Sequence, residues 1–123
     1  MKTIYISRAG QSLNLKLRQS GSKAKPTEEL TTLVDPGDIV RWELDKDSGL
    51  TEITGIKESD NNKKKYRGSQ NLLEGEPQKK GDVWEGKILS QSPGSEKFEN
   101  YMIGFKIPND PEEYWYDPKL QMR

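Results

Sequence analysis

The chain has 123 residues, enough for one domain that folds without cross-links, and it contains neither cysteine nor histidine. Those absences exclude disulfides, thiol nucleophiles and the protein ligands that type-1 copper, structural zinc and iron–sulfur clusters require. Twenty basic residues balance twenty acidic ones, so no overall field attracts the chain to nucleic acid or to anionic membranes.

Apolar and polar residues alternate with a period of two along most of the chain, which is the pattern of strands buried on one face. We predict a first strand at TIYIS and a second at SLNLKLRQ, where Leu13, Leu15 and Leu17 share a face. A polar loop over residues 19–29 follows, and LTTLV is predicted as the third strand. DIVRWEL, with Trp42 on the core face, and LTEITGIKE are the next two strands.

Residues 59–82 form the longest interruption of the strand pattern, and we interpret them as a long loop. A structureless loop of this length is unusual in a compact domain, so we place a short helical turn near Leu72–Leu73. Strands resume at VWEGKIL, with Trp84 and Ile88 on the core face. The next strand is FENYMIGFKI, where Tyr101, Ile103, Phe105 and Ile107 alternate on one face.

The final predicted strand is EYWYDPKLQM. Alternation places Tyr114, Tyr116, Leu120 and Met122 toward the core and Trp115 toward solvent. Pro118 cannot donate a ladder hydrogen bond, so this strand lies at an edge or contains a bulge. A bulge would turn the Trp115 ring inward instead. With this strand the chain has about eight, which predicts an all-β, antiparallel Greek-key β-sandwich over residues 1–123.

The stretch VDPGDIVRW contains a short motif, whose residues are Val34, Pro36, Gly37, Asp38, Val40 and Trp42. They resemble the V-x-x-G-D-x-V-x-W pattern of cupredoxin-like domains. The resemblance implies that family's sandwich architecture. Copper-binding members place histidine, cysteine and usually methionine ligands around the later loops, whereas this chain has no histidine or cysteine. We therefore expect no metal and no cofactor.

The same absences argue against catalysis, because the commonest general base and the strongest nucleophile are missing. Three carboxylates crowd one predicted turn, at Asp110, Glu112 and Glu113. A carboxylate pair could transfer protons or bind a hard cation, but a solvated hairpin turn is the simpler explanation of the cluster, and we favour it. We predict that the protein is not an enzyme, and a carboxylate-dependent hydrolase is the most remote alternative.

The candidate partner-binding residues are Trp115 and a basic cluster formed by Lys63, Lys64, Lys65, Tyr66 and Arg67. The cluster could neutralise phosphates while Tyr66 stacks on a base. Acidic neighbours at Glu58 and Asp60 and the neutral chain argue against a nucleic-acid partner.

The leading hypothesis is a non-catalytic, metal-free module that binds another protein chain, or copies of itself, through an edge strand or the long loop. The alternative is carbohydrate or small-ligand binding by exposed aromatic rings near Trp115. The N-terminal region has no apolar run of signal-peptide length, and no stretch of the chain is long enough to span a membrane. We therefore expect a cytoplasmic protein that is not attached to a membrane.

Overall fold

A computed structural model describes residues 2–20, 31–58 and 72–122. In those ranges the chain forms ten strands and no helix, so the prediction of an all-β fold is confirmed. The strands are β1 (Lys2–Arg8), β2 (Leu15–Gln19), β3 (Thr31–Val34), β4 (Ile39–Leu44), β5 (Glu52–Glu58), β6 (Gln78–Lys80), β7 (Val83–Lys87), β8 (Phe98–Lys106), β9 (Tyr114–Tyr116) and β10 (Lys119–Met122).

Two sheets make up the structure, an arrangement consistent with a β-sandwich. The first has the strand order β2-β1-β4-β7-β6, and the second has the order β3-β10-β8-β5, with β9 also paired to β8. Both sheets are mixed and not purely antiparallel as the sequence pattern predicts, because β1 pairs parallel to β4 and β3 pairs parallel to β10. The chain crosses to the second sheet through β3 before it returns as β4, and this excursion lets β4 run in the same direction as β1.

The core lies between the two sheets, where the inward-facing side chains of both sheets meet. At its centre Trp42 of β4 donates a hydrogen bond from Nε1 to the Tyr101 hydroxyl of β8 over 3.0 Å. Both rings are fully buried, as the alternation predicts. The other fully buried large side chains are Ile4, Ile6, Leu15, Leu17, Leu72, Ile88, Ile103, Phe105, Leu120 and Met122.

The prediction for Leu13 is wrong, because its side chain is 46% exposed. The strand begins only at Leu15, and the residues before it form a turn. The Arg8 guanidinium holds this turn by donating to the carbonyls of Ser12 and Gln11 over 2.7 and 2.8 Å. Leu13 therefore lies outside the ladder that would have directed it to the core.

The described part of the predicted 59–82 loop, residues 72–82, contains β6 and an isolated bridge between Leu73 and Ile88. That bridge replaces the helical turn predicted at Leu72–Leu73. The last predicted strand, expected to lie at an edge or to contain a bulge, instead divides into β9 and β10 at Asp117–Pro118, where the proline has no N–H to donate. The short β6 and this division account for ten strands where the sequence pattern shows about eight.

Candidate functional site

The free edges of the two sheets are the clearest candidate sites for binding another chain. In the described residues, β2 and β6 form the edges of the first sheet, and β3 and β5 form those of the second. An edge strand presents unpaired backbone N–H and C=O groups, which accept a further strand unless charge, shortness or a bulge prevents it.

Charged side chains protect both edges of the first sheet. On β2, Lys16 and Arg18 point outward, and Arg18 forms an ion pair with Asp45 at 2.7 Å. On β6, which is only three residues long, Lys79 and Lys80 are exposed. A strand that approached either edge would have to desolvate these charges.

The β5 edge of the second sheet is protected in a different way. Its pairing with β8 shifts register between Ile53 and Gly55, which is the signature of a bulge. The carbonyl of Ile53 accepts a hydrogen bond from Trp84 Nε1 at 3.2 Å. Trp84 belongs to β7 of the first sheet and is expected in the core from the sequence. Its side chain is half-buried and lies across the β5 edge. Glu52 and Lys57 add exposed charges.

Within the described residues the β3 edge has neither a charged side chain nor a bulge, and at four residues it is one residue longer than β6. Its sequence, TTLV, has no charged residue, and among the described strands it pairs only with β10. Thr31 and Leu33 are exposed, with Leu33 at 41%, while Thr32 and Val34 face the core. The Thr32 side chain is 1% exposed, and its Oγ1 has no hydrogen-bond partner within the described residues.

The strand β9 is also uncharged, and within the described part of the chain it pairs only with β8. It is three residues long and ends at the break before Pro118. Such a short ladder offers few hydrogen bonds to an incoming strand. The four-residue β3 is therefore the longer of the two uncharged edge segments.

Trp115 of β9 faces outward, as alternation predicts, but it is half-buried. Its ring lies across two glycines on the outer face of the second sheet, Gly104 and Gly55. A β-carbon added at those positions would lie 2.8 Å and 3.4 Å from the ring. The ammonium group of Lys57 lies 4.8 Å from the ring centroid, within cation–π range. Trp115 therefore covers bare backbone in addition to presenting an aromatic surface.

The basic cluster of the sequence, Lys63, Lys64, Lys65, Tyr66 and Arg67, lies outside the described residues. Its assignment as a candidate partner-binding segment stays a prediction. So does the assignment of Trp115 as a contact residue.

The acidic turn predicted at residues 110–113 is organised by a tyrosine. The Tyr114 hydroxyl donates to Asp110 Oδ2 over 2.6 Å. This hydrogen bond, with that from the Glu112 backbone N–H, lowers the pKa of Asp110, and it raises the pKa of Tyr114 to about 12. A carboxylate with a lowered pKa is a weak base at neutral pH, so the hydrogen bonds serve to hold the turn.

A cleft of about 540 Å³ lies beside the β5 edge, and its walls include Thr54, Leu73, Pro77, Trp84 and Glu99. Glu99 is buried and accepts hydrogen bonds from the backbone N–H groups of Leu72 and Leu73 at 2.8 and 3.1 Å. The carboxylate thus fixes the chain segment that forms one wall. Alternation along β8 places Glu99 on the same face as Tyr101, so the strand pattern itself carries the signal that this carboxylate is buried.

In the described ranges no group of three or more acidic side chains is arranged to hold a metal ion. Those ranges also contain no helix long and apolar enough to cross a membrane.

A scan against protein-family models finds no match to this chain, and a search of curated proteins finds no significant similarity. The cupredoxin-like resemblance of residues 34–42 therefore stays a prediction.

Proposed function

We propose that this protein is a non-catalytic, metal-free interaction module that binds another protein chain by strand addition at β3. The observation that carries the proposal is the contrast between edges. Charge, shortness or a bulge protects β2, β5 and β6, whereas β3 is uncharged and exposes Leu33. A cytoplasmic location, expected from the sequence, is part of the proposal.

The physical basis of such binding is the backbone. Each hydrogen bond added to a ladder contributes a net of about 0.5–1.5 kcal/mol, so a strand of four residues supports modest affinity. Side chains supply the selectivity, because alternate residues of the edge face opposite sides of the sheet. An added strand would place one set of its side chains beside Leu33 and the other beside Thr32.

The alternative, carbohydrate or small-ligand binding at Trp115, has less support from the geometry. Sugar stacking needs an open ring face. Gly104 and Gly55 lie against the Trp115 ring, and Lys57 lies close to it. A sugar would have to displace the lysine before it could stack.

The proposal is tested with a partner recovered from the native host. The partner is purified and titrated against the wild-type chain and against Leu33→Lys, which places a charge on the β3 edge. We expect the substitution to weaken binding by at least about tenfold. Hydrogen exchange should show that the partner protects the backbone amides of residues 31–34.

Leu13→Lys is the matched control, because it adds the same charge at a similarly exposed leucine outside β3, in the turn before β2. It should bind the partner as the wild-type chain does. Equal binding by Leu33→Lys and the wild-type chain, or amide protection confined to other strands, would refute strand addition at β3.

A further inference from the structure

We infer that the chain added at β3 is a second copy of this protein, with the two β3 strands paired antiparallel across a twofold axis. The inference rests on the function proposed above and names the partner. A twofold axis requires that one surface complement itself, and an uncharged edge meets this condition because no side chain of Thr31–Val34 repels its own copy.

The charge of the whole molecule favours the same pairing. The 20 basic and 20 acidic residues leave a formal net charge of zero. Proteins near zero net charge lack the mutual repulsion that keeps like molecules apart. Two copies can therefore approach without an electrostatic penalty, and the edge with the fewest charges is the natural point of contact.

The faces of β3 restrict the register of the pair. Residues directly opposite each other in an antiparallel ladder point to the same face of the sheet. The twofold axis is perpendicular to the sheet and keeps each side chain on its own face. It must therefore pass through a residue position and not between two residues. With the axis at Thr32, the two Thr32 side chains face each other inside the joined sheets, and Leu33 faces Thr31 of the other copy. With the axis at Leu33, Thr32 faces Val34 of the other copy.

The Thr32 hydroxyl selects between these registers. It is buried and lacks a hydrogen-bond partner within the described residues, and a buried hydroxyl without a partner is unfavourable. Threonines directly opposite each other in an antiparallel ladder form hydrogen bonds through their hydroxyls. In the Thr32-centred register each hydroxyl, once rotated from its enclosed position toward the β3 edge, has the other as its partner, whereas the Leu33-centred register supplies a valine.

Sedimentation equilibrium of the purified chain tests the inference, over concentrations from about 10 μM to about 1 mM. We expect a reversible monomer–dimer equilibrium in the wild-type chain. Leu33→Lys should raise the dissociation constant by at least about tenfold, and the control Leu13→Lys should leave it unchanged. A strictly monomeric wild-type chain, or a dimer that Leu33→Lys does not weaken, would overturn the inference.

Thr32→Val separates the interface role of the hydroxyl from a role in the monomer. Valine preserves the shape and removes a buried polar group, so the denaturation midpoint of the dilute monomer should rise. The dimer should nevertheless dissociate several-fold more readily, because the paired hydroxyls are lost. A more stable monomer with unchanged dimerisation would rule out the Thr32-centred pair.

The two proposals fail in different ways. A wild-type chain that stays monomeric overturns self-pairing, while the amides of residues 31–34 can still be protected by a different protein. If Leu33→Lys weakens neither the dimer nor the binding of a different partner protein, β3 is not a binding edge.

Discussion

Trp115 and the two glycines beneath it form a packing unit on the outer face of the second sheet. Gly104 lies directly opposite Trp115 in the ladder between β8 and β9, and Gly55 is its neighbour on β5. Glycine weakens a strand because it has no side chain to pack. A large ring laid across two glycines restores the missing contact area, so the glycines and the tryptophan depend on each other.

Gly104→Ala should therefore be destabilising although alanine is otherwise acceptable in a strand. The new β-carbon would lie 2.5 Å from the Thr54 hydroxyl and 2.8 Å from the Trp115 ring, and both side chains must shift to accommodate it. We expect a loss of about 1–3 kcal/mol in the free energy of unfolding, measured by urea denaturation. The control is Gly55→Ala, where the distance is an ordinary 3.4 Å. Equal effects of the two substitutions would contradict this account.

The element β2 is attached to the turn after β4 by an ion pair as well as by its ladder with β1. The Arg18 guanidinium donates two hydrogen bonds to Asp45, at 2.7 and 3.0 Å, and stacks 4.1 Å from the centroid of the Tyr5 ring. The hydrogen bonds from Arg18 lower the pKa of Asp45. The attachment therefore depends on pH.

Asp45→Asn should reduce the acid sensitivity of the protein. Because the pKa of Asp45 is lower in the folded than in the unfolded chain, its contribution is present above the unfolded pKa of about 4. That contribution is lost as the pH falls through the lower folded pKa. We expect the variant to be less stable than wild type at pH 7 and to approach it in strong acid, as measured by denaturation midpoints at a series of pH values.

The control for this prediction is Asp47→Asn in the same turn. Asp47 is exposed and has a positive φ of 54°, a conformation that asparagine adopts readily. Asp47→Asn should leave the difference in denaturation midpoint between acid and neutral pH the same as in the wild-type chain. A constant offset between Asp45→Asn and wild type at all pH values would show that the loss is not electrostatic.

At the scale of the whole molecule, the missing histidines and cysteines determine the response to pH. Without them no side chain has an ordinary pKa between about 5 and 8. Net charge and stability should both be nearly constant across that range. The self-association proposed at β3 should share this plateau, because the edge has no titratable side chain and the net charge stays nearly constant.

The alkaline limit should come in part from Tyr101. Burial raises the pKa of its hydroxyl above the ordinary value of about 10. A raised folded pKa gives stability that is complete below the unfolded pKa and is lost as the pH rises through the folded value. We predict constant denaturation midpoints from about pH 5.5 to 9 and a decline above about pH 10. A transition near pH 7 would contradict this prediction.

The sequence by itself determined the features that depend on near neighbours. Period-two alternation identified the strands and the core rings Trp42 and Tyr101, because the faces of a strand follow directly from residue spacing. Pro118 indicated an irregularity in the last strand through its missing N–H, although the pattern predicted an edge or a bulge and not a division into two strands. The absence of histidine and cysteine excluded sites that need imidazole or thiolate ligands, such as type-1 copper and iron–sulfur centres.

The tertiary structure alone decided which strands lie at the edges and what covers them. Strand β3 is beside β10, nearly ninety positions away, and no local pattern encodes that pairing. The same holds for Trp115 over Gly104 and for the buried Thr32 hydroxyl. A strand's face is a property of its own residues, but its neighbours result from a competition among all strands for partners. The candidate site is an edge, so only the folded chain reveals it.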